Sequence, residues 1–369
     1  MNAVHFKHKV KCRGGDVIKG VNIKDIARLA GVGVSTVSRV INQHPDVKAE
    51  TRENVLRIIE EYNYIPNNSA RNLKRADSDD VGILIKGMYN PFFAQMLSFI
   101  EGILSDNGYG LLSHYNEEYS SSQQLNFDSM RDIDVAYEFV MEKKLCGLIC
   151  LGGDFDNVNN EDIQRLGVPI VIASTNMDEK VNRELYSCVS IDNEKAAFSA
   201  VEYLCRSGHQ NIGIITTGAG DLSTGSARTR GYINALLANG LSKKDNYFEL
   251  GAYTFETAYN AMKRLLEKAS DLTAVFAISD IMAIGASKAI LDCGMKIPED
   301  ISVIGFDDID YAAYFNPALS TVRQPVKAIA ESTAEILIGL LEDGGESKHM
   351  LFSTEMIIRE SSRTLNDLT

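Results

Sequence analysis

From Val81 onward, apolar runs of strand length alternate with stretches whose apolar residues recur at helical spacing. The runs fall at 81–85, 109–113, 145–151, 170–173, 188–191, 212–216, 274–278 and 301–306. Helical spacing marks 92–106, 194–207, 226–239, 257–268 and 282–292 between them. Strands separated by helices pair in parallel, so this alternation predicts doubly wound α/β sheets. The stretch 81–369 is long enough for two such subdomains. Open sheets of this kind bind ligands beyond the carboxyl ends of their strands, which directs attention to the polar residues just after each run.

The whole chain has 369 residues, which predicts two or three domains. Its formal net charge of −13 is unevenly spread. Residues 1–75 carry 14 Lys and Arg against 7 Asp and Glu, whereas 76–369 carry 23 against 43. A basic head on an acidic body suits contact with phosphates at one end only. No apolar run reaches the roughly 18 residues a membrane span needs. The first twenty residues carry Lys7, Lys9, Lys11, Arg13 and Lys19 but no apolar core, so a secretory signal is not expected. The six cysteines form no Cys-x-x-Cys pair, and Cys146 and Cys150 share a strand-like run. A reducing cytoplasm without structural zinc is the expectation.

The basic head contains three short amphipathic segments. Asn22 is a good N-cap for a helix with Ile23, Ile26, Ala27 and Ala30 on one face. Gly31-Val32-Gly33 permits a sharp turn. A second helix places Val37, Val40 and Ile41 on one side and Ser35, Ser38 and Arg39 on the other, before Asn42 to Pro45 breaks it. A third, over about 48–62, buries Val55, Leu56, Ile58, Ile59 and Tyr62. Three helices around a glycine turn make a helix-turn-helix unit, although periodicity alone fits any small helical bundle.

The wording is more specific. Residues 21–75, VNIKDIARLAGVGVSTVSRVIN through HPDVKAETRENVLRIIEEYNYIPNNSARNLKR, closely resemble the LacI family of repressors. The resemblance continues through the rest of the chain and omits only residues 1–20. It implies that the second helix enters the major groove of operator DNA, with Val34 and Ser35 at variable base-reading positions. Arg39 matches a further groove-facing residue, and Thr36 and Ser38 match positions that meet phosphates or the helix end. Gly33 departs from the family's usual Ser and lacks a capping oxygen. The resemblance places a head over 21–67, a hinge helix over 68–75, a linker over 76–80 and a sensor core over 81–369. Asn67, Ser69, Ala70 and Leu73 are implied DNA contacts, with Leu73 a minor-groove wedge. Read without the family, Leu73 is an ordinary linker leucine.

The body resembles the family's sensor core and periplasmic sugar-binding proteins. The resemblance implies an effector cleft lined by Phe92 and Phe93 of NPFF, and by Thr224 and Arg228 of STGSARTRGY. It adds Tyr253 as a stacking aromatic and Asp280 as an acceptor carboxylate. Ser174 stands where many members carry Asp, and Ser279 where many carry Asn. An aromatic face, a guanidinium and a carboxylate make a site for a polar small molecule, a sugar or a nucleoside-like metabolite. The polar stretch 114–144 reads as a lid, a loop or a dimer contact. No leucine heptads follow Arg363, so the expected assembly is a homodimer reading a pseudopalindrome.

Two rival classes compete with this reading. A solute receptor would carry a signal and lack the basic head. An enzyme would need a reactive constellation. Gly218-Ala219-Gly220 lacks the third glycine of a dinucleotide fingerprint, and no P-loop, His-Glu-x-x-His or Gly-x-Ser-x-Gly occurs. His5, His8, His44, His114, His209 and His349 are scattered and read as surface or structural. A non-enzymatic regulator without cofactor or metal is the reading, its sign of control, induction or corepression, left open.

Overall fold

The structure, a computed structural model, describes residues 23–41, 47–61, 79–86, 90–116, 131–217 and 224–365. The chain divides into two compact units, Met1–Ala76 and Asp77–Thr369.

In the first unit, helices α1 (Ile23–Ala30), α2 (Val34–Ile41) and α3 (Ala49–Glu61) enclose a small core. Ile26, Ala27, Ala30, Val37, Val40, Val55 and Ile58 are its buried members. The turn after α1 needs Gly31, whose φ is 67°. The Gly31 and Val32 amides donate back to the Arg28 and Ala27 carbonyls, which closes the helix end. Gly33 starts α2 through its carbonyl, which accepts from the Thr36 and Val37 amides. Asn54 of α3 donates to the Ala30 carbonyl and ties the third helix to that turn. The expected N-cap Asn22 lies outside the described residues.

The second unit holds two parallel sheets, so the expected fold class is the one observed. The first contains β1 (Asp80–Lys86), β2 (Gly110–Asn116), β3 (Gly147–Leu151), β4 (Ile170–Ala173), β5 (Ser187–Ile191) and β11 (His349–Phe352), in the order β11-β5-β4-β3-β1-β2. The second contains β6 (Ile212–Thr216), β7 (Phe248–Leu250), β8 (Ala274–Ala277) and β9 (Ser302–Ile304), in the order β7-β6-β8-β9. Strand order reverses at β1/β3 and at β6/β8. The carboxyl ends there are the switch-point crevices of the two sheets. β3, β4, β6 and β8 are buried along their whole length, as strands covered on both faces must be.

The helices that matter for the site are α4 (Pro91–Asp106), α5 (Asp132–Lys143), α7 (Asn193–Arg206), α8 (Thr224–Ala238), α9 (Phe255–Lys268), α10 (Asp280–Asp292) and α12 (Val326–Asp343). Two short helices, α6 (Asn160–Leu166) and α11 (Asp310–Tyr314), complete the order. Their polar caps set the starts. Asn90 accepts from the Phe92 amide, Asp192 from Lys195, Thr254 from Thr257 and Ser279 from Met282.

Among the described residues the chain crosses between the sheets three times. The first crossing is 191–193, leading from β5 into α7. The second is β10 (Thr321–Arg323), which leads into α12, and α12 packs on α4, β3, β4 and β5 of the first sheet. The third is β12 (Glu355–Ile357), which follows β11. β10 and β12 pair antiparallel, Thr321 opposite Ile357 and Arg323 opposite Glu355.

Periodicity did not reveal β7, β10, β11 or β12, which are three or four residues long. It also passed over α5 and α12. The stretch 114–144, read as lid, loop or dimer contact, ends in α5, whose Ile133, Ala136, Phe139 and Val140 enter the core. Residues 117–130 lie outside the described residues. Among the described residues no helix is long and apolar enough to cross a membrane.

Candidate effector site and DNA-reading helix

Arg228 projects from the second turn of α8 and is only 5% exposed. Its Nε donates to Asn193 Oδ1 at 2.9 Å, at the first crossing. Its Nη1 donates to the Ile278 carbonyl at 2.5 Å, beyond β8, and lies 3.4 Å from Asp307 Oδ1. The guanidinium carbon stands 3.6 Å over the Phe306 ring. Gln324, just after β10, donates from Nε2 to the same Asp307 oxygen at 2.8 Å. A buried guanidinium survives when its charge is paired and its donors are used, and three separate segments serve that need here, with Gln324 from a fourth holding the carboxylate. Burial pushes the Asp307 carboxyl well above the ordinary carboxylate range, and the Arg228 charge pulls the other way.

Asp307 and Asp308 have φ of 119° and 56°, uncommon for residues with a side chain. Such a turn persists where its surroundings over-determine it, and it recurs at functional sites.

The sequence reading placed the acceptor carboxylate at Asp280. That side chain is fully buried, and both oxygens have protein donors: the Ile309 amide at 2.9 Å and Thr321 Oγ1 at 2.6 Å. Burial, reinforced by the neighbouring Asp307 charge, pushes its pKa up to about 7 despite those two bonds. The carboxylate beside Arg228 is Asp307, and Asp280 ties the loop after β9 to the crossing strand β10. Thr224 opens α8 and is half-buried. Tyr253 follows β7 with φ 50° and packs partly buried against the core.

Phe92, Phe93 and Ser174 belong to the carboxyl end of the first sheet. Phe92 is 3% exposed and joins the core. Phe93 is half-buried and lies against Gly152, where an added Cβ would stand 2.9 Å from the ring. Ser174 is buried with φ 56°, its hydroxyl 3.8 Å from Met96 Sδ. Beside them the sequence reading missed an ion pair, Lys86 Nζ to Asp132 Oδ2 at 2.8 Å. Asp307 and Asn193 each follow an apolar run, which marks them as candidates without saying which way they turn. Gln324 is not marked, because β10 is too short to leave a pattern.

In the head, α2 buries Val37 and Val40 and leaves Val34 and Arg39 exposed, with Thr36 half-buried. Ser35 and Ser38 lie on the same helix. Asn67, Ser69, Ala70 and Leu73 lie outside the described residues.

A helix-turn-helix unit in one chain with a two-sheet body of the periplasmic-binding-protein type makes a DNA-binding transcriptional regulator. Residues 22–67 match the model of bacterial regulatory proteins, lacI family, and residues 201–362 match the periplasmic binding protein-like domain. The chain is 45% identical over 344 residues to the HTH-type transcriptional regulator MalR of Clostridium butyricum, covering 92% of this chain and 99% of that one. It is 34% identical over 352 residues to the probable HTH-type transcriptional repressor ExuR of Bacillus subtilis (strain 168), covering 94% and 99%. A transcriptional regulator CelR–cellobiose complex superposes with a TM-score of 0.67 at 29% identity, over 93% of this chain and 100% of that one. The chain belongs to the LacI family of transcriptional repressors.

Proposed function

We propose that this repressor senses a sugar or a nucleoside-like metabolite in the crevice where Arg228 meets Asp307. The observation that carries the reading is a buried guanidinium and carboxylate, with Asn193 and Gln324 as further polar partners, at the carboxyl ends of the second sheet. Such a group offers donors and acceptors to ligand hydroxyls. The cellobiose-bound relative supports a sugar. Phe92, Phe93, Ser174, Thr224, Tyr253 and Asp280 complete the proposed site, with Asp280 acting through Thr321 and Ile309.

The head over 21–67 would read DNA through Val34, Ser35, Thr36, Ser38 and Arg39, and 68–75 would form the hinge with Asn67, Ser69, Ala70 and Leu73 at the groove. Residues 76–80 would link it to the core at 81–369. Two copies would bind a pseudopalindromic operator in the cytoplasm, without catalysis, and cleft closure would change operator affinity. A thermal-shift screen of sugars and nucleosides, followed by operator titration with each hit, tests this. A hit that alters operator affinity supports the reading and fixes its sign. Ligands that stabilise the protein without altering operator affinity contradict it.

A further inference from the structure

We infer that Asp308 is the residue through which the Arg228–Asp307 site acts on the two strands that cross between the sheets. The inference rests on the proposed sensing site and adds its regulation.

The turn after β9 presents two consecutive carboxylates with different partners. Asp307 faces Arg228 and Gln324. Asp308, its side chain 8% exposed, accepts from Arg323 Nε at 2.6 Å and pairs with Arg359 Nη2 at 2.7 Å. Arg323 is the last residue of β10, and its Nη1 continues to Glu355, the first residue of β12, at 3.2 Å. Arg359 lies just past β12, and its Nη1 also donates to the Leu319 carbonyl at 2.8 Å before β10. One carboxylate thus holds a guanidinium from β10 and another from just past β12, and a third acid, Glu355, takes the other end of Arg323.

Both aspartates have positive φ, a backbone that persists only where its surroundings hold it, and they are adjacent in one turn, so a shift of the turn at Asp307 is carried to Asp308. A ligand that takes over an Asp307 oxygen shifts the grip of Asp308 on β10 and β12. Ion pairs with several partners have discrete arrangements, which is what coupling between sites requires. A staple that only supports the turn would have the same contacts but would leave site and strands independent.

The experiment is a double-mutant cycle on the full chain, read by amide hydrogen exchange at 321–323 and 355–357. Asp307→Asn perturbs the site without an effector, and Asp308→Asn removes the clamp charge. Asp307→Asn in the parent is expected to speed exchange at β12 about tenfold, and less than twofold when Asp308→Asn is already present, whereas β10, which Asp307 also touches directly through Gln324 and the Val322 carbonyl, responds in both backgrounds. Asp308→Glu, which keeps the charge, should restore part of the coupling. Equal effects of Asp307→Asn at β12 with and without Asp308 overturn the inference. Should Asp308→Asn fail to fold, Arg323→Gln combined with Arg359→Gln gives the same reading, because it removes both guanidiniums that Asp308 holds. Preferred-sequence binding, measured separately on a random DNA pool, reports on the repressor reading. Loss of DNA selectivity with coupling intact counts against that reading and not against the clamp.

Discussion

Arg228 Nη1 stands 3.4 Å from Asp307 Oδ1, and both side chains are almost wholly buried. Removing one partner of such a pair leaves an uncompensated charge in the interior. Arg228→Ala should lower the unfolding free energy of the body by about 3–5 kcal/mol, measured by denaturant titration. Arg228→Ala combined with Asp307→Ala should recover part of that loss, because no lone charge remains. A double variant as unstable as the sum of the singles would show that the two do not interact.

Stability should fall with pH around Asp280. Its folded pKa lies near 7, while in the unfolded chain it takes the ordinary value near 4. Between those values the native state holds a proton that the unfolded state has released. Stability contributed by this group is therefore present below about pH 4 and lost as pH rises through 7. Asp280→Asn should flatten the profile across that window, as melting at a series of pH values will show. A slope unchanged by the substitution would assign it to other groups.

Gly231 of α8 sits where α7 crosses. An added Cβ would stand 2.2 Å from the Glu194 carbonyl oxygen and 2.8 Å from the Phe198 nitrogen. Both are backbone atoms of a packed helix and cannot step aside. Gly231→Ala should cost about 1–3 kcal/mol by overpacking. A variant that melts with the parent would mean that α7 and α8 stand farther apart at Gly231 than these approaches require.

Those aspartate and glycine effects come from the structure, and the sequence shows why only part was readable beforehand. The core strands β3, β4, β6 and β8 are apolar runs because they are covered on both faces, so they stood out. β10 and β12 hold three residues each and owe their place to the crossing between sheets, which leaves no period. Arg228 was singled out through a family motif. Its partner was not, because two acids, Asp280 and Asp307, each follow an apolar run. Pattern alone cannot say which one turns toward a guanidinium and which one caps a loop. Local chemistry separates them: Asp280 begins a helix after its Ser279 cap, whereas Asp307 sits in a turn with positive φ.

In the head, Arg39 lies on the exposed side of α2 while Val37 and Val40 hold the helix to its core. Arg39→Ala should weaken binding to the selected operator by about 1–3 kcal/mol if it meets a base edge, with random DNA much less affected. Gel-shift titration on both DNAs makes the comparison. Equal weakening on the two would place Arg39 at a phosphate.

The most direct test joins the two ends of the molecule. Operator affinity of the full chain should be titrated with a sugar or nucleoside that raises its melting temperature, in the parent and in Asp307→Asn. The parent should show a change of about 5–150-fold on ligand addition, the usual range of allosteric coupling. Asp307→Asn, with its folding at the assay temperature checked by melting, should lose the response to ligand. A variant whose operator affinity still follows the ligand as the parent's does would contradict a sensing site built on Arg228 and Asp307.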